Sequence, residues 1–175
     1  MITCGLDMST SSSGWSIFDG NDLITYGVIK PKSDNWRDKI EQEYIILNGI
    51  INKYKPEKIF MEDIPAKPGA LTLIKLGAVQ GMVLALSTQH NIEIQFLSPS
   101  DWRSPLGLYD GTREGTHREV LKKKAIEMVN KVFNMSLLWV APKSKRNQDD
   151  EAEAILIAYS QVKKRRFGKP KPKSP

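Results

Sequence analysis

The 175-residue chain lacks most of the features that mark a secreted, membrane-spanning or thiol-dependent protein. Cys4 is the single cysteine, so the chain can form neither an internal disulfide nor a cysteine-rich zinc site. No uninterrupted apolar run reaches the roughly 18 residues of a membrane span, because Lys75 and Gln80 interrupt the best candidate. No basic segment followed by an apolar stretch opens the chain. We therefore expect a cytoplasmic protein with no membrane partner.

Acidic residues are absent after Glu153, and much of the basic charge lies beyond it. The net charge is +6, and seven lysines and arginines fall within residues 163–175. This Lys/Pro-rich segment can neither continue a helix nor build a core. The sequence thus predicts one folded domain over residues 1–162 and a basic tail over residues 163–175. The tail either binds phosphate backbones or keeps the protein soluble.

Apolar periodicity predicts an α/β fold. Strand patterns occupy residues 2–8, a hairpin over 14–30, and the segments 57–62 and 92–98, while helical spacing covers 35–54, about 71–90, 116–133 and a last helix from Asp149. In the third helix we expect Val120, Ala125, Met128, Val129 and Val132 on the apolar side. The order β-β-β-α-β-α-β-α is typical of a mixed five-stranded sheet flanked by helices, with the first and fourth strands parallel neighbours.

Asp7 lies in the first strand, where a buried, unpaired carboxylate costs several kcal/mol. It should therefore face a cleft, a partner or a cation. Glu62 ends the fourth strand, where parallel strands form sites, and Asp150 and Glu153 share one face of the last helix. Each has a plainer explanation: Asp7 can cap the serine-rich turn, Glu62 can be an exposed strand end, and acidic residues in a first helical turn can complement the macrodipole.

Four carboxylates that converge on one point repel one another and need a cation. Without a His or Cys cluster the fitting ion is Mg²⁺, and Mn²⁺ is expected to substitute for it. Two such ions about 4 Å apart can hold the attacking water and the leaving oxygen of an in-line displacement at phosphorus. The pattern therefore favours metal-dependent phosphodiester hydrolysis.

Four segments between Ile2 and about Tyr159 resemble a known family: GLDMSTSSSGWSI, the strand-ending MED, IKLGAVQGMVLAL and DDEAEAILIAY. They are similar to the RuvC-type Holliday-junction resolvases, within the RNase H-like nuclease fold, and most similar to the compact, bacteriophage-encoded branch. The resemblance implies a catalytic and metal-binding tetrad of Asp7, Glu62, Asp150 and Glu153, with Asp149 as the substitute if the register differs by one. It further implies two Mg²⁺ ions per site, action in the bacterial host cell, and nicks in four-way junctions that leave 5′-phosphate ends.

The resemblance also implies a homodimer packed through the second helix, about residues 71–90. Gly77 and Gly81 admit close approach either of a second helix or of the chain's own sheet. Bacterial members of the family carry an aromatic wedge after the strand-ending glutamate, whereas this chain has Asp63, Ile64, Pro65 and Ala66. We therefore expect cleavage of three-way and fork-like DNA as well as four-way junctions, with weak sequence preference.

Cations near these elements are the candidates for DNA contact: Lys67, Lys75, Arg113, Arg118, Lys122, Lys123, Lys124, Lys143, Lys145, Arg146, Lys163, Lys164, Arg165 and Arg166. Trp102, with Arg103, either stacks on a base or is buried.

Two other functions fit parts of the pattern. An actin- or sugar-kinase-like ATPase half would also begin with an Asp on its first strand. That class predicts a glycine where Met8 stands, and a second copy of the domain for which 175 residues are too few. A catalytically inactive module that binds branched DNA differs from a nuclease only in activity.

Overall fold

The chain folds into one five-stranded sheet with helices on both faces. The structure, a computed structural model, describes residues 1–65 and 69–164, with the backbone alone for Lys163 and Lys164. The strands are β1 (Ile2–Asp7), β2 (Ser13–Asp19), β3 (Asp22–Ile29), β4 (Lys58–Glu62) and β5 (Glu93–Leu97). The helices are α1 (Trp36–Tyr54), α2 (Ala70–Gln89), the short α3 (Pro99–Arg103), α4 (Arg118–Phe133) and α5 (Asp149–Lys164), and a 3-10 turn covers Glu114–Thr116.

The sheet has the order β3-β2-β1-β4-β5, with β1, β4 and β5 parallel and with β2 antiparallel to both β1 and β3. The register pairs Leu6 with Met61, so Asp7 and Glu62 follow at neighbouring carboxyl ends. The prediction of a mixed sheet in which the first and fourth strands are parallel neighbours is confirmed.

The two faces of β1 have different chemistry, as its alternation predicts. Cys4, Leu6 and Met8 are buried on the face that α1 and α2 cover, in a core that includes Leu47 of α1 and Val83 of α2. The opposite face packs against α3, α4 and α5. Asp7 lies on this second side, and the fold therefore brings α5 to it.

Helix α5 sits unusually close to the sheet because two glycines leave it room. A Cβ atom on Gly5 would lie 2.2 Å from the carbonyl oxygen of Ala154, and one on Gly14 would lie 1.9 Å from that of Asp150. The Ser16 hydroxyl donates to the Ala154 carbonyl at 2.8 Å and fixes this contact. The backbone of β1 and β2 thus sets the position of the helix that carries Asp150 and Glu153.

The predicted apolar face of α4 is partly wrong. Val120 and Val132 are 37% and 43% exposed, whereas Leu121 and Ile126 are buried beside Ala125 and Val129. Helix α4 contacts α5 along a stripe through Leu121, Ala125 and Val129, and Val120 and Val132 lie to one side of it. A list of apolar residues at helical spacing does not say which of two adjacent stripes the neighbouring helix covers.

Helix α2 buries one side and exposes an apolar opposite side. Val79, Val83 and Leu86 enter the core, while Leu73, Ile74 and Leu84 are 48%, 57% and 43% exposed. A Cβ on Gly77 or Gly81 would meet nothing within 4 Å, so these glycines do not serve packing on the sheet. By length and composition alone α2 could cross a membrane, which is weak evidence because core helices of soluble proteins pass the same test.

Candidate active site

A cleft opens at the carboxyl ends of β1 and β4, where sequence reasoning places the site. It has a volume of about 580 Å³, and Asp7, Glu62, Asp150 and Glu153 all line it. Asp7 ends β1, Glu62 ends β4, and the other two project from the first turns of α5. The four carboxylates come from three elements that are far apart in sequence, and the fold brings them to one cavity.

The carboxylates influence one another electrostatically. Burial raises the pKa of Asp7 well above its ordinary value, and the charges of Glu153, Glu62 and Asp150 raise it further. The Asp7 carboxylate has no hydrogen bond or ion pair within residues 1–65 and 69–164. A partly buried carboxylate with three acidic neighbours is a site prepared for a cation.

Glu62 is held by two side chains from α3. The indole Nε1 of Trp102 donates to Glu62 Oε2 at 2.6 Å, and Nη2 of Arg103 lies 3.3 Å from the same oxygen. Burial raises the pKa of Glu62, and the neighbouring Arg103 partly offsets this rise. Trp102 is fully buried, so it orients a carboxylate, and the alternative of base stacking is excluded.

Arg103, named from the sequence only beside Trp102 as a base-stacking candidate, has a role among the carboxylates that the sequence did not predict. Its Nη2 donates to Glu153 Oε1 at 2.8 Å, and its guanidinium lies 4.5 Å from the ring centroid of Trp102. The Nε group of Arg103 is buried without a hydrogen-bond acceptor. One guanidinium therefore compensates two of the four carboxylates in the absence of metal, and it keeps one donor unsatisfied.

The first turn of α5 distinguishes Asp150 from Asp149. The Ser12 hydroxyl donates to Asp150 Oδ2, whose carboxyl pKa burial raises. Asp149 instead forms an ion pair with Lys122 and does not line the cleft. This geometry supports the predicted pair Asp150 and Glu153 over the substitute Asp149.

The donor set fits an oxygen-preferring divalent cation. All four candidate ligands are carboxylates, and two of them already accept a positive group between them. As they stand, no three His, Cys, Asp or Glu residues in the described part of the chain are arranged to hold one ion. In this arrangement Arg103 bridges Glu62 and Glu153.

The predicted DNA-contact residues fall into three groups. Lys75 and Arg118 line the cleft, and Arg118 also lines a second cavity beside it with Lys122, Lys143 and Lys145. Exposed residues outside both cavities are Arg113, Lys123 and Arg146. Lys67, Arg165 and Arg166 lie outside the described residues, as do the side chains of Lys163 and Lys164.

Several of these cations already have acidic partners. Lys122 pairs with Asp149, Lys123 lies 3.7 Å from Glu127, and Lys124 lies 2.7 Å from Asp110. Sequence reasoning also missed two lysines of the second cavity, Lys30 and Lys39, because each stands alone in a segment without a functional motif.

Comparisons with known proteins agree with this geometry. The family model described as "Crossover junction endodeoxyribonuclease RuvC" matches residues 3–160. The enzyme of that name from Dictyoglomus thermophilum is 26% identical over 174 residues, covering 94% of this chain and 98% of the relative. The one from Fusobacterium nucleatum is 27% identical over 167 residues, covering 93% and 80%.

Solved structures show the same fold at lower identity. Thermus thermophilus RuvC in complex with a Holliday junction substrate superimposes with a TM-score of 0.72 at 16% identity, covering 96% of this chain and 97% of that one. The fowlpox virus resolvase in complex with Holliday junction DNA gives 0.59 at 15% identity, covering 94% and 98%. These likenesses confirm the predicted RNase H-like fold.

Proposed function

Because the chain belongs to the RuvC family of crossover junction endodeoxyribonucleases, we propose that it nicks Holliday junctions by metal-dependent hydrolysis of a phosphodiester bond. The observation that carries the proposal is the cleft in which Asp7, Glu62, Asp150 and Glu153 meet beside Lys75 and Arg118. Carboxylates supply metal ligands, and the two cations attract the phosphate backbone. The proposed products carry 5′-phosphate ends, and the bacterial sources of the relatives support action in the cytoplasm of a bacterial cell.

The residues that would hold the metal are Asp7, Glu62, Asp150 and Glu153, with Mg²⁺ as the natural ion and Mn²⁺ as a substitute, two ions per site. When bound, such ions polarise the phosphate and activate the attacking water. The chain's own groups prepare the ligands for them. Ser12 orients Asp150, and Trp102 orients Glu62.

Lys75 and Arg118 act on the substrate. Both line the cleft, on α2 and at the start of α4, on elements different from those that carry the carboxylates. Their charges offset the repulsion between an acidic cleft and a polyanionic strand, so a DNA strand can approach the carboxylates.

The exposed side of α2 supports a homodimer. Leu73, Ile74 and Leu84 are exposed apolar residues on the helix whose Gly77 and Gly81 face open space. Two glycines four residues apart let a second helix approach closely. A second copy of α2 on this face gives each dimer two clefts, which suits the nicking of two strands of one junction.

The test is cleavage of an end-labelled four-way junction and of a linear duplex, with and without Mg²⁺, with nicks mapped on every strand. We expect metal-dependent nicks in the junction and none in the duplex. Asp7→Asn should lower the cleavage rate at least about a hundredfold and leave junction affinity unchanged or slightly tighter, because it removes a ligand and a negative charge.

Asp63→Asn is the matched control for that variant. Asp63 adjoins Glu62 and lines the cleft, where its Oδ1 accepts from Gln80 Nε2 at 3.0 Å, a role that asparagine can keep. It removes the same charge without removing a proposed ligand. The site assignment is contradicted if Asp7→Asn cleaves at the wild-type rate, or if both variants lose the same amount of activity. The proposed function is contradicted if the wild-type protein cleaves no junction.

A further inference from the structure

A second cavity lies beside the active-site cleft and is rich in cations. Its volume is about 500 Å³. We call it the lysine cavity; the basic and hydroxyl side chains that line it are Lys30, Lys39, Arg118, Lys122, Lys143, Lys145, Ser9, Ser11, Ser12 and Ser144. Ser9, Ser11, Ser12, Arg118 and Asp150 line the cleft as well. The two cavities therefore share a wall, and a chain that leaves the cleft over the serine turn enters the lysine cavity.

The cations of the lysine cavity come from separate elements and converge without acidic partners. Lys30 follows β3, Lys39 belongs to α1, and Lys143 and Lys145 lie in the loop before α5. None of these four forms an ion pair within the part of the chain that the structure describes. By contrast Lys122 pairs with Asp149. Four lysines without an ion pair around one cavity give it positive charge, which attracts an anion.

The acidic groups in the wall are already engaged. Glu119 Oε2 accepts the Lys143 backbone N–H at 2.8 Å, Asp149 pairs with Lys122, and Asp150 accepts from Ser12. The lining holds six lysines and arginines against these three carboxylates, so positive charge remains in excess.

Lys143 is held in a conformation that a lysine adopts at a cost. Its φ is +61°, in the left-handed region, where a residue with a Cβ is disfavoured. The loop around it is braced by the buried Asn147, whose Oδ1 accepts from Val140 N and whose Nδ2 donates to the Ala141 carbonyl, both at 2.8 Å. Glycine would suit this backbone better, so replacing Lys143 by glycine removes the amine without adding strain.

The serine turn has a backbone held by its own hydrogen bonds. Ser9 Oγ donates to the Ser12 carbonyl at 2.8 Å and accepts the backbone N–H groups of Ser11 and Ser12 at 3.3 and 3.2 Å. Because the Ser9 and Ser12 hydroxyls each use their one proton within the protein, the exposed Ser11 hydroxyl is the one of these three that can turn to donate to a phosphate. A contact of this kind positions a strand without reading its bases.

We propose that the lysine cavity binds the phosphates of the cleaved strand on one side of the scissile phosphate and so sets where the strand enters the metal site. This inference rests on the proposed function. It assigns to Lys30, Lys39 and Lys143 a positioning role, because they hold the strand away from the reacting atoms. The ligand is a phosphodiester, and its source is the substrate strand itself, since the lysine cavity adjoins the cleft and shares five lining residues with it.

The experiment replaces single phosphates of the junction by uncharged methylphosphonates, one linkage at a time on both sides of the cut. Junction affinity is measured in Ca²⁺ for the wild-type protein, Lys30→Gln, Lys143→Gln and Lys131→Gln. Lys131 is an exposed lysine in the last turn of α4 that lines neither cavity, so its variant is the matched control for loss of one charge.

We expect one or two adjacent linkages at which the wild-type protein loses affinity by roughly tenfold. At those linkages the methylphosphonate should cost Lys30→Gln and Lys143→Gln little junction affinity, because these variants already lack the lysine that would contact the phosphate. Lys131→Gln should lose as much as the wild-type protein. Equal losses in all four proteins at every linkage overturn the proposal.

In Lys143→Gly, stability and junction affinity should not fall together. Relief of the left-handed strain should leave the melting temperature unchanged or higher, while junction affinity falls as in Lys143→Gln. The proposal is overturned if Lys143→Gly binds the junction as tightly as the wild-type protein. It is also overturned if inorganic phosphate raises the melting temperature while no single linkage couples to Lys30 or Lys143. If the wild-type protein cleaves junctions but no linkage couples to Lys30 or Lys143, the proposed function stands and only this inference fails.

Discussion

Arg103 and Glu153 form an ion pair in the active-site cleft, with Nη2 of the arginine 2.8 Å from Oε1 of the glutamate. The same nitrogen lies 3.3 Å from Glu62 Oε2. The two glutamates thus share one internal cation, which takes the role that a metal ion would have between them. The stability of the metal-free protein and its response to metal are therefore linked through one side chain.

Arg103→Gln should destabilise the metal-free protein by about 2 kcal/mol, because Glu62 and Glu153 lose their shared counter-ion next to Asp7. A divalent ion no longer competes with a guanidinium in this variant. The rise in melting temperature on adding Mn²⁺ should therefore be larger than in the wild-type protein.

Arg103→Lys is the control for that comparison, since it keeps the charge and loses the planar guanidinium. It should fall between the wild-type protein and Arg103→Gln in both measurements. An identical Mn²⁺ response in all three proteins would show that the guanidinium and the metal do not compete for the glutamates.

Glu43 gives the protein a predictable dependence of stability on pH. It is buried on α1, where Oε1 accepts from the Ser13 hydroxyl at 2.8 Å and Oε2 has no partner. Burial raises its pKa from 4.5 to about 7. The folded protein therefore binds a proton at Glu43 more tightly than the unfolded chain does. This binding adds to the free energy of unfolding below about pH 4.5, and the added stability is lost as the pH rises to about 7.

Glu43→Gln should remove this loss. We expect it to raise the free energy of unfolding by roughly 1 to 3 kcal/mol at pH 8 and to leave it nearly unchanged at pH 4.5. Urea unfolding at the two pH values measures the difference. The same shift at both pH values would mean that Glu43 does not titrate between them.

Leu84→Arg tests the proposed dimer. A charge on the exposed side of α2 has no place in a close helix–helix contact, so the dissociation constant of the dimer should rise at least tenfold. Leu138→Arg is a matched control, because Leu138 and Leu84 are both 43% exposed and Leu138 lies outside α2. Sedimentation equilibrium gives both constants. A dimer that survives Leu84→Arg but dissociates with Leu138→Arg uses another surface.

Substrate range should depend on the loop after β4. Ile64 and Pro65 line the cleft, and neither can stack on a base. We therefore predict cleavage of three-way and fork-like DNA alongside four-way junctions. Pro65→Phe should favour four-way junctions severalfold, because stacking on a base stabilises an open crossover by about 1 to 3 kcal/mol.

Pro65→Leu is the control that removes the proline without adding an aromatic ring. It should keep the broad range of the wild-type protein. Rates on the three substrates, measured side by side, decide the matter, and a wild-type enzyme that cuts only four-way junctions at one dinucleotide contradicts the prediction.

Local patterns in the sequence predicted the sheet, the four long helices and the position of the cleft. Alternation placed Asp7 opposite the face of Cys4 and Leu6, and strand order placed Glu62 beside it. The role of Arg103 could not be found in this way, because its partners lie 41 and 50 positions along the chain and only the folded protein brings them together. The lysine cavity escaped for the same reason, since Lys30 and Lys39 belong to segments without a shared pattern.

Two glycines of the sheet, Gly5 and Gly14, limit how much sequence change is tolerated beneath α5. Gly5 and Gly14 have no chemical role, yet a methyl group at either would collide with the backbone of α5 at Ala154 or Asp150. In a library that samples every substitution along the chain, these two positions should be as depleted as the carboxylates themselves. An engineer who wishes to retune cleavage should therefore diversify the cavity walls and leave the sheet beneath α5 untouched.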